Sequence, residues 1–290
     1  MKVYLDIVRK VLETGEIKTT RQGKDAYTIA GEKFEHDMAD GYPLLTTKKV
    51  PWRLVASELE FFIKGITDKK WLQDRNNHIW DEWANPQKAP YGHDQSTQER
   101  MMNERDLGAI YGYQWRHFNY PYQSYDTDYT GNGYDQLQKV VDTLKSNPND
   151  RRMIVSAWNP LMLDHMALPP CHYGFQVTVI KGRLNLLWNQ RSVDIMLGLP
   201  FNIASYALLL HLLAKESGYQ EGKLIGFLAD IHLFLNHIDG AKEQLIRDPN
   251  KYKLPQIKTE NFKSIFDWQY TDSQIIGYES YPTIKFEIAI

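Results

Sequence analysis

Residues 200–217 carry apolar side chains on almost every face of a helix. A helix without a polar face is stable only when other elements bury it on all sides. The rest of the 290-residue chain must therefore enclose this segment, and it is long enough to do so as one domain. We expect 200–217 to be the central buried helix.

The remaining sequence mixes helical and strand patterns. Apolar residues recur at helical spacing until Gly15, and a second helix begins at Pro51 and ends at Gly65. Further helices are predicted at 134–145 and 236–247, and strands at 26–34, 153–158, 173–180, 183–191 and 224–231. We expect an α+β protein, with a mixed β-sheet core flanked by helices, folded as a single domain over 1–290. Residues 85–105 and 119–133 are predicted to be loop-like surface excursions from that domain.

Charge and hydropathy exclude several classes of protein. The net charge of −2 argues against a strongly basic nucleic-acid binder, although a local basic pocket for one small anion remains open. Residues 1–10 lack the apolar region of a signal peptide, and no apolar run reaches the roughly 18 residues of a membrane span. We expect a soluble, cytoplasmic protein with neither membrane nor nucleic acid as a partner.

Cys171 is the only cysteine of the chain. A lone thiol can form neither an internal disulfide nor a thiolate metal cluster. Two interpretations remain, a nucleophile and a buried packing residue, and the surrounding sequence decides between them.

That surrounding sequence predicts a β-hairpin. Lys181 and Gly182 form a two-residue turn between two strand patterns. Pairing across this turn places Cys171 opposite Ser192 and His172 opposite Arg191, although a bulge would shift the register by one position. A guanidinium beside a thiol favours the thiolate, so the pattern favours a nucleophile.

Glu58 lies within the apolar stripe of the helix that follows Pro51. At about 100° per residue, its nearest neighbours on the helix surface are all apolar. They are Leu54, Val55, Phe61 and Phe62. A carboxyl group in this position either takes up a proton, because burial raises its pKa toward the range useful for proton transfer, or extends to the edge of the stripe.

Several arginines are candidates for holding a phosphate. Arg151 and Arg152 precede a predicted strand, and a pair of guanidinium forks suits a doubly charged phosphate, although such a pair also occurs in solvated turns. Arg21, Arg191 and Ser192 are further candidates.

Asn202 is a candidate for contact with a base, and a predicted strand carries further polar candidates. Asn202 stands near the start of the apolar helix, where its amide either caps the helix or faces a ligand, and an amide complements the edge of uracil. Asp230, His232 and Phe234 alternate along a predicted strand and share one face. His232 and His237 lack a clear third ligand, so we expect no metal site.

Ordered sequence blocks resemble those of thymidylate synthases. The most specific are Ala167-Leu168-Pro169-Pro170-Cys171-His172, Gln190-Arg191-Ser192 with Asp194, Leu199-Pro200-Phe201-Asn202, and Asp230 with His232. Further blocks lie at 40–49, 78–83, 111–116, 151–159 and 281–285. The resemblance covers essentially the whole chain. It implies the fold of that family, a homodimer that forms through the sheet, and reductive methylation of dUMP with 5,10-methylenetetrahydrofolate as co-substrate.

The resemblance also implies individual roles. Cys171 would add to C6 of uracil, Glu58 would manage protons at O4 and on the folate, and Tyr111 would assist loss of the C5 proton. Binding roles fall on a larger set. The phosphate would be held by Arg21, Arg191 and Ser192, with Arg151 and Arg152 crossing from the partner subunit. Asn202 would read the base and take part in catalysis, His232 would contact the 3′-hydroxyl, and Asp194 and Phe234 would belong to the substrate site. Trp80, Trp83, Asp194 and Ala289 would line or close the folate site.

Some positions depart from the family pattern. Phe234 replaces a tyrosine that helps to bind the 3′-hydroxyl, Asn189 replaces the tyrosine before Gln-Arg-Ser, and Ala229 replaces a glycine. Residues 21–26 diverge in the phosphate loop, and Pro51 stands where some members carry a histidine. The nucleophile, the carboxyl group and the base reader are retained.

Three competing functions remain open. The nearest is a pyrimidine nucleotide hydroxymethylase, in which water rather than hydride captures the exocyclic methylene. Asn202 argues against its cytosine version, and the bulk of Trp80 argues against water entry. A Cys-His acyl hydrolase is disfavoured because Cys171 and His172 point to opposite sides of a strand. The third is a non-catalytic nucleotide or RNA binder.

Overall fold

The computed structural model describes residues 1–20 and 23–287. The chain forms two compact units, the first from 1–52, 179–261 and 271–290, the second from 53–178 and 262–270. The single domain over 1–290 stays a prediction. No helix of the described segments is long and apolar enough to cross a membrane.

Helices and strands both contribute to the chain, as the mixed sequence patterns predict. The helices are α1 (Lys2–Thr14), α2 (Trp52–Ile63), α3 (Lys69–Gln73), α4 (Gln95–Asn103), α5 (Tyr111–His117), α6 (Gln136–Ser146), α7 (Gly198–Ser217) and α8 (Ile238–Ile246). The strands are β1 (Glu16–Thr19), β2 (Asp25–Asp37), β3 (Ile154–Ser156), β4 (His172–Ile180), β5 (Arg183–Asp194), β6 (Gln220–Phe234), β7 (Gln256–Thr259) and β8 (Ser273–Ile276). The predicted α+β class and mixed sheet are confirmed.

The first unit is built on four neighbouring strands in the order β1, β2, β6, β5. β2 is antiparallel to β1 and to β6, whereas β5 and β6 are parallel. Helix α7 packs on β5 and β6, and α1 packs on β2 and α8. Strands β7 and β8 form a separate antiparallel pair.

Helix α7 is the predicted central helix. All residues from Ile203 to Ala214 are buried, because the helix has no polar face to present to water. It begins at Gly198, two residues before the predicted start, because Pro200 is compatible with a first helical turn. It ends at Gly218, whose φ of 75° is the left-handed conformation that glycine adopts readily.

The turn of the predicted hairpin is confirmed. β4 ends at Ile180 and β5 begins at Arg183. Lys181 and Gly182 both have positive φ, 51° and 75°, as two-residue hairpin turns require. The pairing of Cys171 with Ser192 stays a prediction.

The second unit consists mainly of helices around the short antiparallel pair of β3 and β4. α5 and α6 pack on each other and on β3. Helix α6 begins at Gln136, two residues after the predicted start, because the Asp135 side chain accepts a hydrogen bond from Gln138 N and caps it.

Residues 85–105, predicted to be loop-like, contain a helix. Helix α4 lies within this range, capped by Asp94, whose carboxylate accepts a hydrogen bond from Thr97 N at 3.0 Å. The sequence of α4 is polar on most faces, and its buried side is limited to Thr97 and Met101, four residues apart. This stripe is too narrow for hydrophobic periodicity to reveal.

We predict that Gly226→Ala lowers the free energy of unfolding by roughly 2 kcal/mol, because a Cβ would lie 2.3 to 2.4 Å from carbons of the buried Trp188 indole. That indole cannot move aside, since it stacks on Tyr206 and packs against Phe34. Urea unfolding of the purified variant measures the loss. Gly198→Ala is the control, because Gly198 has no positive φ and the nearest atoms to the added carbon lie at 3.7 and 3.8 Å, which is ordinary van der Waals contact. An equal loss in the two variants would contradict the steric account.

Candidate active site

Each unit carries part of the predicted site. Glu58, Trp80, Trp83, Tyr111, Arg151, Arg152 and Cys171 belong to the second unit, and Arg191, Ser192, Asp194, Asn202, His232 and Phe234 to the first. Arg21 and Ala289 lie outside the described residues.

Cys171 is half-buried and directly precedes β4. Its backbone N–H donates a hydrogen bond to the Tyr111 hydroxyl at 2.8 Å. The Tyr111 ring is buried at the start of α5, where it stacks on Phe62 with ring centres 4.9 Å apart. The cysteine backbone is thus fixed at the edge of an aromatic cluster.

His172 belongs to that cluster. Its ring centre lies 4.4 Å from that of Tyr111 and 6.3 Å from that of Phe62. Burial lowers the pKa of His172 to about 3, so the imidazole is neutral at physiological pH. A neutral imidazole cannot form the ion pair with a thiolate that an acyl hydrolase of the Cys-His type uses, so the pair gives no support to that function.

Glu58 lies on α2, one helical turn before Phe62, as the apolar stripe predicts. The Trp80 indole N–H donates to its Oε1 at 2.8 Å. Burial raises the pKa of Glu58 from 4.5 to about 7, and the hydrogen bond from Trp80 acts in the opposite direction. Glu58 therefore changes protonation near neutral pH, which suits a group that transfers protons.

Two tryptophans of the second unit lie in aromatic clusters. Trp80 is buried and contacts Phe62 and Tyr111 edge to face. Trp83 is half-buried and stacks on Tyr91, with ring centres 6.1 Å apart and planes 13° apart. Aromatic faces and edges of this kind pack well against flat, apolar rings.

In the first unit, Asn202 is oriented by a chain of hydrogen bonds. The Trp188 indole N–H donates to Gln190 Oε1 at 3.1 Å, and Gln190 Nε2 donates to Asn202 Oδ1 at 2.9 Å. Because the indole N–H can only donate, it fixes the orientation of both amides. Asn202 then keeps its NH₂ group and one lone pair of Oδ1 for a ligand.

The capping interpretation of Asn202 is wrong. The residue is the fifth of α7, and the helix begins without a side-chain cap from the preceding residue. Asp194 instead stabilises the turn that precedes α7. Its Oδ1 accepts hydrogen bonds from Met196 N and Leu197 N, each at 3.0 Å. The sequence predicts substrate and folate contacts for Asp194 but gives no sign of this structural role. Sequence reasoning also overlooked Gln190, although the Gln-Arg-Ser block contains it.

β6 places Asp230, His232 and Phe234 on one face, as the alternation predicts. His232 Nδ1 lies 3.4 Å from Asp230 Oδ1, and Lys18 forms an ion pair with the same aspartate. The Phe234 ring is buried and contacts the His232 ring edge to face, with centres 5.2 Å apart. Packing of the phenyl ring therefore restricts the orientation of His232.

The arginines differ in exposure. Arg191 and Ser192 are half-buried on β5, whereas Arg151 and Arg152 are exposed. Arg152 forms a two-pronged hydrogen bond with Asp150, with distances of 2.9 and 2.8 Å, and lowers the pKa of that carboxyl to about 2. This ion pair uses two of the five guanidinium N–H donors of Arg152.

Within residues 1–20 and 23–287, no group of three or more His, Cys, Asp or Glu side chains is arranged to hold a metal ion.

Comparison with known proteins identifies similar sequences over the whole chain. The family model for thymidylate synthase matches residues 2–290. A bifunctional dihydrofolate reductase-thymidylate synthase of Paramecium tetraurelia is 42% identical over 287 residues, a match that covers 99% of this chain and 61% of that protein. A thymidylate synthase of Staphylococcus haemolyticus is 40% identical over 321 residues, and the match covers 99% of this chain and 98% of that protein.

We predict that Glu58→Gln stabilises the fold at pH 8 and leaves its stability nearly unchanged at pH 4. Between pH 4.5 and 7 the unfolded chain loses this proton while the folded chain keeps it, so wild-type stability falls as pH rises, by up to about 3 kcal/mol. Glutamine does not ionise and removes that loss. Thermal unfolding across this pH range measures the effect, with the exposed Glu99→Gln as control. A gain that is the same at both pH values would contradict the assignment.

Proposed function

The chain belongs to the thymidylate synthase family, and from that premise we propose that it catalyses the reductive methylation of dUMP to dTMP. The observation that carries the proposal is the family match over residues 2–290, which includes the only cysteine of the chain. Bound 5,10-methylenetetrahydrofolate supplies the one-carbon unit and the hydride and leaves as dihydrofolate.

Cys171 is the proposed nucleophile. Its sulfur forms a bond to C6 of uracil while the π electrons of the C5–C6 bond move toward C5 and O4, which makes C5 nucleophilic. After C5 has gained its carbon and lost its proton, hydride addition to that carbon places an electron pair at C5. This pair re-forms the C5–C6 double bond and expels the sulfur from C6 as the thiolate. The fixed backbone of Cys171 supports this role, because the hydrogen bond to Tyr111 limits where the sulfur can lie.

Glu58 and Tyr111 are the proposed proton-handling groups. A pKa of about 7 allows Glu58 to donate a proton toward O4 and to take it back within one turnover. Tyr111 assists removal of the C5 proton, and its position next to Cys171 N supports this role. Water, which is present in solution, completes the path between these groups and the ring.

The first unit is proposed to bind the nucleotide. The oriented amide of Asn202 donates to uracil O4 and accepts from N3–H, and His232 contacts the 3′-hydroxyl. Arg191 and Ser192 hold the phosphate together with Arg21. Phe234 offers no hydroxyl group to the sugar and acts instead by packing on His232.

We propose that folate binding falls to Trp80, Trp83 and Asp194, with Ala289 closing over the site. The stacked ring of Trp83 and the buried ring of Trp80 support the assignment of a planar ligand. A buried indole next to the proton-handling carboxyl group also shields the exocyclic methylene from water. This shielding favours methylation over the hydroxymethylase alternative.

The active form is proposed to be a homodimer in which Arg151 and Arg152 reach the phosphate in the partner's site. Their exposure in the single chain supports this, as does Phe227, which is 45% exposed although it lies within β6. We place the enzyme in the cytoplasm, where a nucleophilic thiol stays reduced.

We predict that Cys171→Ser reduces turnover of dUMP by roughly 10³-fold or more, because serine is a far weaker nucleophile at neutral pH. Binding of dUMP should persist within about threefold, since the phosphate and base contacts remain. Isothermal titration calorimetry measures the binding, and formation of dihydrofolate, followed by absorbance, measures turnover. Full activity of this variant would refute the assignment of Cys171 as the nucleophile.

We predict that Asn202→Asp changes the ratio of kcat/KM for dUMP over that for dCMP by roughly 10- to 100-fold in favour of dCMP. A carboxylate loses the NH₂ donor that O4 of uracil requires and gains an acceptor for the amino group of cytosine. Paired assays that score both the nucleotide and the folate product measure the ratio. If the ratio does not change, Asn202 does not read the base.

A further inference from the structure

Lys69, the first residue of α3, is a buried lysine that the proposed reaction does not use. Its side chain is only 1% exposed. The Nζ atom donates hydrogen bonds to three backbone carbonyls, those of Asp81 at 2.8 Å, Trp83 at 2.9 Å and Met101 at 2.6 Å.

These three hydrogen bonds use the full donor capacity of an ammonium group. A buried charge is costly unless it is completely hydrogen-bonded, and converging carbonyl oxygens repel each other unless a cation lies between them. Burial lowers the pKa of Lys69 to about 8, and the negative charges of Asp81 and Glu104 oppose that shift. The lysine and the three carbonyls therefore stabilise one another.

The carbonyls come from two segments that are separate in sequence. Asp81 and Trp83 lie in the turn that carries the tryptophans, and Met101 lies in the last turn of α4. Carbonyls in the last turn of a helix lack intrahelical partners and carry the negative end of the helix dipole, so they attract a cation. Lys69 thus joins the 85–105 excursion to the tryptophan turn.

A second set of contacts holds the C-terminal end of the 85–105 excursion against the start of α3. Lys69 N donates to Arg105 O at 3.0 Å, and Leu107 N donates to Thr67 O at 2.9 Å. The Arg105 guanidinium binds the Asp68 carboxylate with both Nε and Nη2. The backbone of Lys69 is therefore held in place independently of its side chain.

Apolar packing continues the same connection. Ala84, Ala89 and Met101 form a small buried cluster, and Tyr91 packs against it. Tyr91 in turn stacks on Trp83, while Trp80 donates to Glu58. A shift of the turn would alter both tryptophans at once.

We propose that Lys69 is a positioning residue that anchors the Trp80 and Trp83 turn to the 85–105 excursion and so sets the affinity for the folate co-substrate. The role in folate binding rests on the proposed function, whereas the anchoring itself does not. The ammonium group of Lys69 is enclosed by protein and cannot contact the folate itself. Lys69 therefore affects folate binding only through the position of the turn.

The test compares Lys69→Met, which keeps the length of the side chain but removes the donors, with Lys70→Met. Lys70 is the next residue of α3, is exposed and pairs with Asp74. In Lys69→Met we expect KM for methylenetetrahydrofolate to rise at least about tenfold, with KM for dUMP within about twofold. Amide hydrogen exchange should accelerate in 80–84 and 95–103 but not in α6. Lys70→Met should match the wild type in every measurement.

Two results would overturn the proposal. Unchanged exchange in 80–84 and 95–103 would show that Lys69 does not anchor the turn, and faster exchange with an unchanged KM for folate would show that the anchor does not position the folate site. If Lys69→Met does not fold, Lys69→Gln replaces it, since its amide retains two donors. A wild-type protein that does not turn over dUMP refutes the proposed function, and the exchange data then decide the anchoring alone.

Discussion

The hydrogen bond from Cys171 N–H to the Tyr111 hydroxyl connects the proposed nucleophile to the buried core of its unit. Tyr111 can accept it because Phe62 and His172 hold its ring on α5. The same apolar surroundings keep His172 neutral and raise the pKa of Glu58 to about 7. One aromatic cluster thus fixes the cysteine backbone, excludes a Cys-His ion pair and prepares a carboxyl group for proton transfer.

Much of the fold follows from periodicity. A helical segment without a polar face has to be buried, and α7 is buried. A two-residue hairpin turn at Lys181 and Gly182 predicts a positive φ for both residues, and both have one. Helix α4 was not predictable in this way, because it buries only a narrow stripe within a polar sequence. Boundaries shifted where a side chain caps a helix, as Asp135 does for α6.

A site residue was predictable where its type conflicts with the surrounding sequence pattern. Glu58 is the example, because it places a carboxyl group within the apolar stripe of α2. A site residue was not predictable where the interaction depends on the three-dimensional arrangement. The hydrogen bonds from Trp188 through Gln190 to Asn202 join residues whose spacing carries no periodic signal. Lys69 likewise resembles any surface lysine in sequence, and only the convergence of three carbonyls distinguishes it.

We infer that the sulfur of Cys171 attacks a pyrimidine ring whose edge is read by Asn202. A crystal structure of the protein with dUMP and a folate analogue that cannot donate hydride tests both parts at once. This assignment of the two residues predicts electron density continuous between Sγ and C6, with O4 and N3 of the ring within hydrogen-bond distance of the Asn202 amide. A nucleotide bound with protein atoms between the ring and Sγ would contradict it.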